Sequence, residues 1–531
     1  MFTARWLRRA MEAVTILLVC LSPWAFASVH PIFESLVWNG VGLLAIFWAV
    51  RILLERRFAP RFDGVSLCLA GIVLLGLWQM TPLARSTLAT VSPGTARINA
   101  ELLPKHAEKL TDGTFPDQAR EADKATISVY RYATHEDIVR WVAILLLFLV
   151  VRNNIASPAA LRRLSVALLI NGVLLSYFAL AQWFTSPHNM LYWTYPSLGS
   201  VFGPFINRNH FAFYMNICIG LSLGLLLHVT ASISQVHIPA NAYGEMGRAA
   251  DYSRSRHGPP RLSWHARIGQ LLQNPRTLWI VLALVLMLAT DVMCLSRGGV
   301  LALIAGSAVC VLLSRIRKGQ HSRADVIVLV VALMLGLLTW FGFDLAQSRY
   351  ATLWSGQIPD EGRWRVWNYM LSAVRDFPLW GSGYATFPYV EPLYRNSAEG
   401  LDLFWDYAHN EYLQMLIEGG IIGLTLMLLA IVFLYHAAVK ALRHYVDRPA
   451  AGLVLGAVFA LTTVVVHSFV EFGLHMPAIT CLVTVVCAQL VGIADAAKQR
   501  VAPGEELASA SAANASLPQL GGLVPVLAAG T

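Results

Sequence analysis

Apolar stretches about as long as a bilayer-crossing helix recur along almost the whole chain, and the hydrocarbon core asks for roughly 20 such residues per crossing. They fall near 12–29, 34–53, 64–82, 136–152, 164–183, 210–230, 277–295, 299–314, 325–345, 411–436, 450–472 and 476–494, about twelve spans in 531 residues. Backbone in lipid must satisfy its own hydrogen bonds, so spans of this length are helices. The expected class is therefore an all-α polytopic membrane protein. Only 13% of residues are charged, against about a quarter in soluble domains. All seven cysteines lie inside apolar runs, which excludes a disulfide framework or a zinc ribbon.

The net charge of +9 would point to nucleic acid in a soluble protein. Here the cations sit in loops between spans. Arg5/Arg8/Arg9, Arg51/Arg56/Arg57/Arg61, Arg152/Arg162/Arg163, Arg248/Arg254/Arg256/Arg261/Arg267, Arg315/Arg317/Lys318/Arg323 and Lys440/Arg443/Arg448 all fall on one face. The positive-inside rule makes that face cytoplasmic, with both termini inside. Ala25-Phe26-Ala27 resembles a leader cleavage site, but a second span follows at once, so an uncleaved first span is expected. Segments 83–135, 184–209 and 346–410 then lie outside as a small extracytoplasmic cap. The organisation expected is 1–135 as three spans and a first outer loop, 136–498 as the main transmembrane domain, and 499–531 as a disordered tail rich in Ala, Ser, Gly and Pro. No nucleotide-binding glycine loop occurs, which argues against an energy-coupled pump.

Residues able to do chemistry gather at the outer face. Arg297 lies in Ser296-Arg297-Gly298-Gly299, a tight turn between spans; it either snorkels to the interface or holds an anion, and the glycines would let a ligand approach closely. Arg363 and Arg365 alternate with Trp364 and Trp367, a pattern that suits an interfacial helix or capture of phosphate by guanidinium forks. Asn207 and Arg208 precede Asn209 and His210 at the start of a span. They supply donors, while Asn209 and His210 are expected to be a cap and an anchor. His409 stands at a helix start, where imidazole could take a proton from a sugar hydroxyl or be structural. Asn410 beside it can cap that helix. His467, Glu471 and His475 recur every fourth residue towards the outer end of the eleventh span, so they share one stripe. That spacing matches no standard zinc motif, and a hydrogen-bonded scaffold behind the site is expected.

Taken together, these residues resemble the O-antigen ligase and polymerase superfamily of polytopic glycosyltransferases. His409-Asn410, nine residues, then Gly420-Ile421-Ile422-Gly423 matches the ligase signature. Ser296 to Gly299, Gly362-Arg363 with Trp367, Pro378 to Gly383, Gly203 to Ala212, Thr126 to Val129 and His467-Ser468-Phe469 before Pro477 look like further blocks in the family's order. Pro204 stands where the family more often has Thr.

The resemblance implies a GT-C-like helical fold in a bacterial inner membrane. It implies inverting transfer of a glycan from an undecaprenyl-diphosphate donor to a saccharide acceptor (lipid A-core or a growing polysaccharide) at the periplasmic face, with no cofactor or metal. It also implies that Arg297, Arg363 and His409 are the essential residues. Ligase, repeat-unit polymerase and protein O-oligosaccharyltransferase share these blocks, so the acceptor stays open. From another class, a lipid-linked sugar flippase competes, but it needs polar groups through the bilayer and on both faces.

Overall fold

The computed structural model describes residues 2–55, 60–102, 124–187, 189–197, 199–236, 273–314, 361–395, 404–446 and 448–499. The expected span 325–345, the loops Arg248–Arg267 and Arg315–Arg323, and the tail from residue 500 lie outside the described residues. So do residues 103–123, 346–360 and 396–403 of the long loops.

The helices are α1 (Phe2–Leu21), α2 (Pro31–Leu54), α3 (Gly64–Gln79), α4 (Arg85–Val91), α5 (Pro93–Leu102), α6 (Arg131–Asn154), α7 (Pro158–Thr185) and α8 (Arg208–Val236). They continue with α9 (Pro275–Met293), α10 (Arg297–Ser314), α11 (Glu361–Asp376), α12 (Phe387–Tyr394), α13 (Glu411–Tyr445), α14 (Ala450–His467) and α15 (Pro477–Gln499). Two small antiparallel pairs complete the described elements, β1 (Leu83–Ala84) with β2 (Lys124–Ala125) and β3 (Met190–Leu191) with β4 (Tyr195–Pro196). Eight of these helices are long and apolar enough to cross a membrane, and the chain is an all-α polytopic membrane protein. Eleven of the twelve expected spans coincide with a helix. The first is displaced: α1 ends at Leu21, because Pro23 starts a tight turn and Phe26, Ala27 and Ser28 adopt positive φ.

The helices run alternately, so the expected arginine loops meet at one end of the bundle. There Arg152 pairs with Asp63 and with Asp495 (2.6 Å), Arg163 with Glu12 (2.6 Å), Lys440 with Asp495 (3.6 Å) and Arg8 with Glu55 (3.7 Å). At the other end α8, α10 and α13 begin and α14 finishes. The centre of the bundle is the α8–α14 pair, both almost wholly buried. A Cβ on Gly456 would stand 2.5 Å from the Cα of Gly224, and one on Gly224 would meet Gly456 Cα at 2.8 Å. Lipid offers no hydrophobic drive between helices, so this close backbone contact supplies the packing. It also fixes the start of α8 beside the end of α14.

A cap with its own apolar core covers that end, built by Ile98 of α5, Val366, Met370 and Ala373 of α11, Phe387 and Val390 of α12, and Ile417 of α13. It is stitched to the bundle at a break in α13. The apolar run 411–436 reads as one uninterrupted helix, but Gly420 has φ +64° and ψ −167°. The segment 378–383 enters the gap. Ile421 N–H donates to Pro378 O (2.9 Å), Ser382 N–H to Ile417 O (2.9 Å) and Gly383 N–H to Glu418 O (3.1 Å). Gln79 Nε2 donates to Trp380 O and Glu418 O, at 2.6 and 2.7 Å. These bonds replace the helical ones lost at the break. Gly381, with φ +75°, faces the same seam.

At Gly420 a Cβ would lie 2.3 Å from Leu379 O and the residue would keep a left-handed φ. Gly420→Ala should destabilise the protein by about 1–3 kcal/mol, read as a fall in melting temperature of the detergent-solubilised protein. Gly423→Ala, whose Cβ would come closest to the flexible Met415 side chain at 3.1 Å and reach Leu75 and Met415 O only at ordinary contact distances of 3.5 and 3.6 Å, should cost clearly less. Equal losses would mean that the break carries no special constraint.

Candidate active site

Where α8 begins and α14 ends, one carboxylate collects the polar groups of four segments. Glu471 is fully buried. Its Oε1 meets His409 Nδ1 at 2.8 Å and lies 3.7 Å from His210 Nε2. Its Oε2 accepts from Asn209 Nδ2 at 2.6 Å and from Arg363 Nη2 at 3.3 Å. Burial by itself would raise this carboxyl. The imidazoles of His210 and His409 and the guanidinium of Arg363 outweigh it and hold Glu471 well below the usual carboxylate range. Glu471 is thus an anion, and an anion can only accept. His409 in its neutral form then carries its proton on Nδ1, and the Nε2 lone pair is left over.

Local folding explains each placement. α14 stops at His467, and the chain turns through 468–472 with Phe469 N–H donating to Val466 O and Val470 N–H to His467 O, at 3.2 and 3.0 Å. The expected continuous stripe of His467, Glu471 and His475 is therefore broken. His467 stays on the helix and stacks on Phe213, with ring centres 4.8 Å apart. Glu471 points into the cluster, where it holds His409, Arg363 and Asn209 by hydrogen bonds. His475 turns to the other side, where its Nδ1 pairs with Glu411 at 3.2 Å. The turn at Gly473, where Phe213 leaves no room for a Cβ (2.4 Å), enforces this change of direction.

His409 is held in a left-handed conformation, φ +50°, which is uncommon for a residue with a side chain. Both flanks pin it. Trp367 Nε1 donates to Ala408 O (2.7 Å) and Ala408 N–H to Gln414 Oε1 (3.0 Å). After it, Asn410 Oδ1 accepts from Tyr412 and Leu413 N–H, at 3.0 and 3.1 Å. Aromatic edges of Phe472 (4.6 Å) and Trp405 (5.5 Å) close around the imidazole.

Arg363, on α11, also donates through Nη1 to Val470 O at 2.8 Å. Arg297 opens α10 next to Gly298, where a Cβ would stand 2.7 Å from Val470 Cγ2 and 2.9 Å from His467 Nε2. That contact brings the Arg297 backbone to the segment that holds Arg363. Arg365 is exposed, two residues and about 200° further round α11, and takes no part in the cluster around Glu471. Asn410 and Asn207 act as helix caps, Asn207 Oδ1 accepting from Asn209 N–H at 2.9 Å. Arg208 is half-buried at the start of α8, its N–H on Ser200 O at 2.8 Å.

Asn209 and His210, expected as a cap and an anchor, instead turn onto Glu471. Their signal in the sequence was position alone: one turn into a span, where a polar pair needs an internal partner. Among the described residues, no group of three His, Cys, Asp or Glu side chains is disposed to hold a metal ion.

Residues 282–428 match a protein family model described as O-Antigen ligase. The match covers Arg297, Arg363, Arg365, His409 and Asn410; Asn207 to His210 and His467 to His475 lie beyond it. No curated protein matches the chain.

Beside the cluster, burial opposes charge on His475, but its ion pair with Glu411 and the nearby carboxyls of Asp137 and Glu418 carry it up to about 9 from an ordinary 6.5. The folded value exceeds the unfolded one, so this group stabilises the fold fully below about pH 6.5 and loses that effect as pH rises through 9. Melting temperature should therefore fall across that window, and Glu411→Gln should flatten the fall. An unchanged slope in the variant would remove the ion pair from the account.

Proposed function

We propose, from the match of residues 282–428 to the O-Antigen ligase family model, that the chain works in membrane glycan transfer for polysaccharide biosynthesis as an inverting transferase in which His409 is the general base. The observation that carries this reading is the 2.8 Å bond between His409 Nδ1 and the buried Glu471 carboxylate. It leaves Nε2 to take the proton of an acceptor hydroxyl while Glu471 stabilises the imidazolium that forms.

The hydroxyl oxygen then attacks the anomeric carbon of a lipid-linked glycan. The bond from that carbon to the diphosphate breaks, and the configuration inverts. Negative charge grows on the leaving diphosphate, so cations placed there stabilise the transition state more than the ground state. Arg297 and Arg363 are the cations for that role, and the contact of Gly298 with Val470 and His467 supports their acting on one ligand. The resemblance supports undecaprenyl diphosphate as the carrier, and the same blocks serve ligases, repeat-unit polymerases and protein O-oligosaccharyltransferases.

The face is proposed to be periplasmic. Arginines concentrate at the opposite end of the bundle, which the positive-inside rule assigns to the cytoplasm. Reporter fusions near residues 110 and 390 should report outside and one near 250 inside; a cytoplasmic report at 390 would place His409 on the wrong side for this chemistry.

His409→Ala should lower transfer by about 10²–10⁴-fold, the usual contribution of a general base, in a protein that still inserts and binds donor. His409→Gln can accept the contact with an orienting amide but takes no proton at neutral pH, so it should be as inactive. Recovery of most activity in the Gln variant would make His409 a positioning residue and sink base catalysis.

A further inference from the structure

Four side chains hold Glu471, and they divide into two pairs of different exposure and origin. His409 and Arg363 face the open side, their side chains 19% and 20% exposed. The proposed chemistry changes both of them, since the imidazole gains a proton and the guanidinium is drawn to a diphosphate. Arg363 is also the more distant partner of Oε2, at 3.3 Å against 2.6 Å for Asn209. When it engages a donor, Glu471 loses part of its only guanidinium contact among these four. A buried carboxylate that loses its partners either moves or takes up a proton.

The other pair stays in place. Asn209 and His210 are consecutive residues in the first turn of α8. Asn207 fixes their backbone, its Oδ1 accepting from Asn209 N–H (2.9 Å) and its carbonyl from His210 N–H (3.0 Å). The Gly224–Gly456 contact locks α8 to α14, whose last residue, His467, stands four positions before Glu471. His210 is buried, and its Nε2 lies 3.7 Å from Glu471 Oε1 with no partner at hydrogen-bond distance. A bare lone pair aimed at an anion would be repelled, so that nitrogen carries a proton. Phe472 packs against His210 at 4.7 Å and His409 at 4.6 Å, nearly perpendicular to each ring, so one aromatic fixes the tilt of both imidazoles.

We propose that Asn209 and His210 are positioning residues for the transfer: they act through Glu471, keeping it ionised and aimed at His409 Nδ1 while Arg363 and His409 change partners. Their N–H groups also draw on the charge of the carboxylate. With either one removed, Glu471 holds the proton of His409 more strongly, and the imidazole stays protonated to higher pH. A general base works unprotonated, so activity then begins at higher pH. The other charged or titratable groups around the cluster are Arg363 of α11, His467 of α14, Arg297 at the start of α10, Tyr407 stacked on Phe472, and the pair of Glu411 with His475. The variants below alter none of them. The role in transfer rests on the transferase reading, whereas the hold on Glu471 can be read without it.

The test uses the full chain in nanodiscs and diethyl pyrocarbonate, which acylates imidazole only in its neutral form. Labelling at His409 against pH, followed by mass spectrometry, reports where that side chain loses its proton whether or not glycan is transferred. In Asn209→Ala, and separately in His210→Leu, the labelling midpoint should move up by at least about 0.5 pH unit, because a hydrogen bond to a charged group is worth about one pK unit or more. Transfer at neutral pH should fall about tenfold or more, on the scale of losing the outer partner of a metal-bound histidine, with part of the loss recovered as pH rises. His210→Gln, which keeps an N–H where Nε2 stands, should move the midpoint less than His210→Leu. If Asn209→Ala does not fold, the two His210 variants carry the test. Midpoints unmoved in the folded variants would overturn the proposal, and an equal loss of transfer at every pH would then make the two residues structural. Normal transfer with unmoved midpoints would defeat the proposal and keep the transferase reading. Shifted midpoints in a chain whose unaltered form transfers no glycan would defeat the transferase reading and keep the hold on Glu471.

Discussion

A carboxylate sealed away from water is unstable unless donors and cations surround it, and Glu471 imposes that requirement on everything near it. Its two oxygens draw in His409, Arg363, Asn209 and His210, which come from α8, α11, the start of α13 and the turn after α14. Apolar and close backbone packing brings α8 to α14 and α11 to α13, and the bonds to Glu471 join these two pairs at one point. The same contacts that neutralise Glu471 set the tautomer of His409 and hold Arg363 beside it, so stability and chemistry share one set of bonds. The left-handed backbone at His409 is tolerated because bonds on both flanks determine it.

The scaffold places this carboxylate through backbone contacts that only small residues permit. Gly224 against Gly456 sets the depth of α14 relative to α8. Gly420 against Leu379, with Gly381 facing the same seam, sets where α13 breaks and where the cap sits over it. Gly420, which follows His409-Asn410 in the signature, is thus architectural. It sets the break in the helix that starts two residues after the histidine, and Gly298 lets α10, which Arg297 opens, start against Val470 and His467.

Much of this was legible in the sequence because the bilayer is a demanding solvent. Apolar length pointed to eleven described helices, eight of them long and apolar enough to cross a membrane, and the described arginine loops come together where Arg152 pairs with Asp495 and Arg163 with Glu12. His409, Arg363 and Arg297 were legible as polar groups gathered toward one end of the spans, where the structure brings His409 and Arg363 onto Glu471. What escaped were changes of direction. Period-four spacing puts His467, Glu471 and His475 on one stripe only if the helix runs to 475; it ends at His467, and with the turn Glu471 moves to the centre. Gly420 looked like one more small residue in an apolar run, since positive φ leaves no trace in hydropathy. Asn209 and His210 were read by position, and their partner lies 262 residues away from Asn209, beyond any local pattern.

The central claim is that Glu471 and His409 act as one unit, and a double-mutant cycle on glycan transfer tests it most directly. Glu471→Gln keeps the size and the hydrogen bond but loses the charge, and its amide can present N–H to Nδ1 and so reverse the tautomer. If the pair is one unit, Glu471→Gln and His409→Gln should each abolish most transfer, and the double variant should be no worse than the poorer single one. Losses that multiply in the double variant would show two independent contributions and contradict the account.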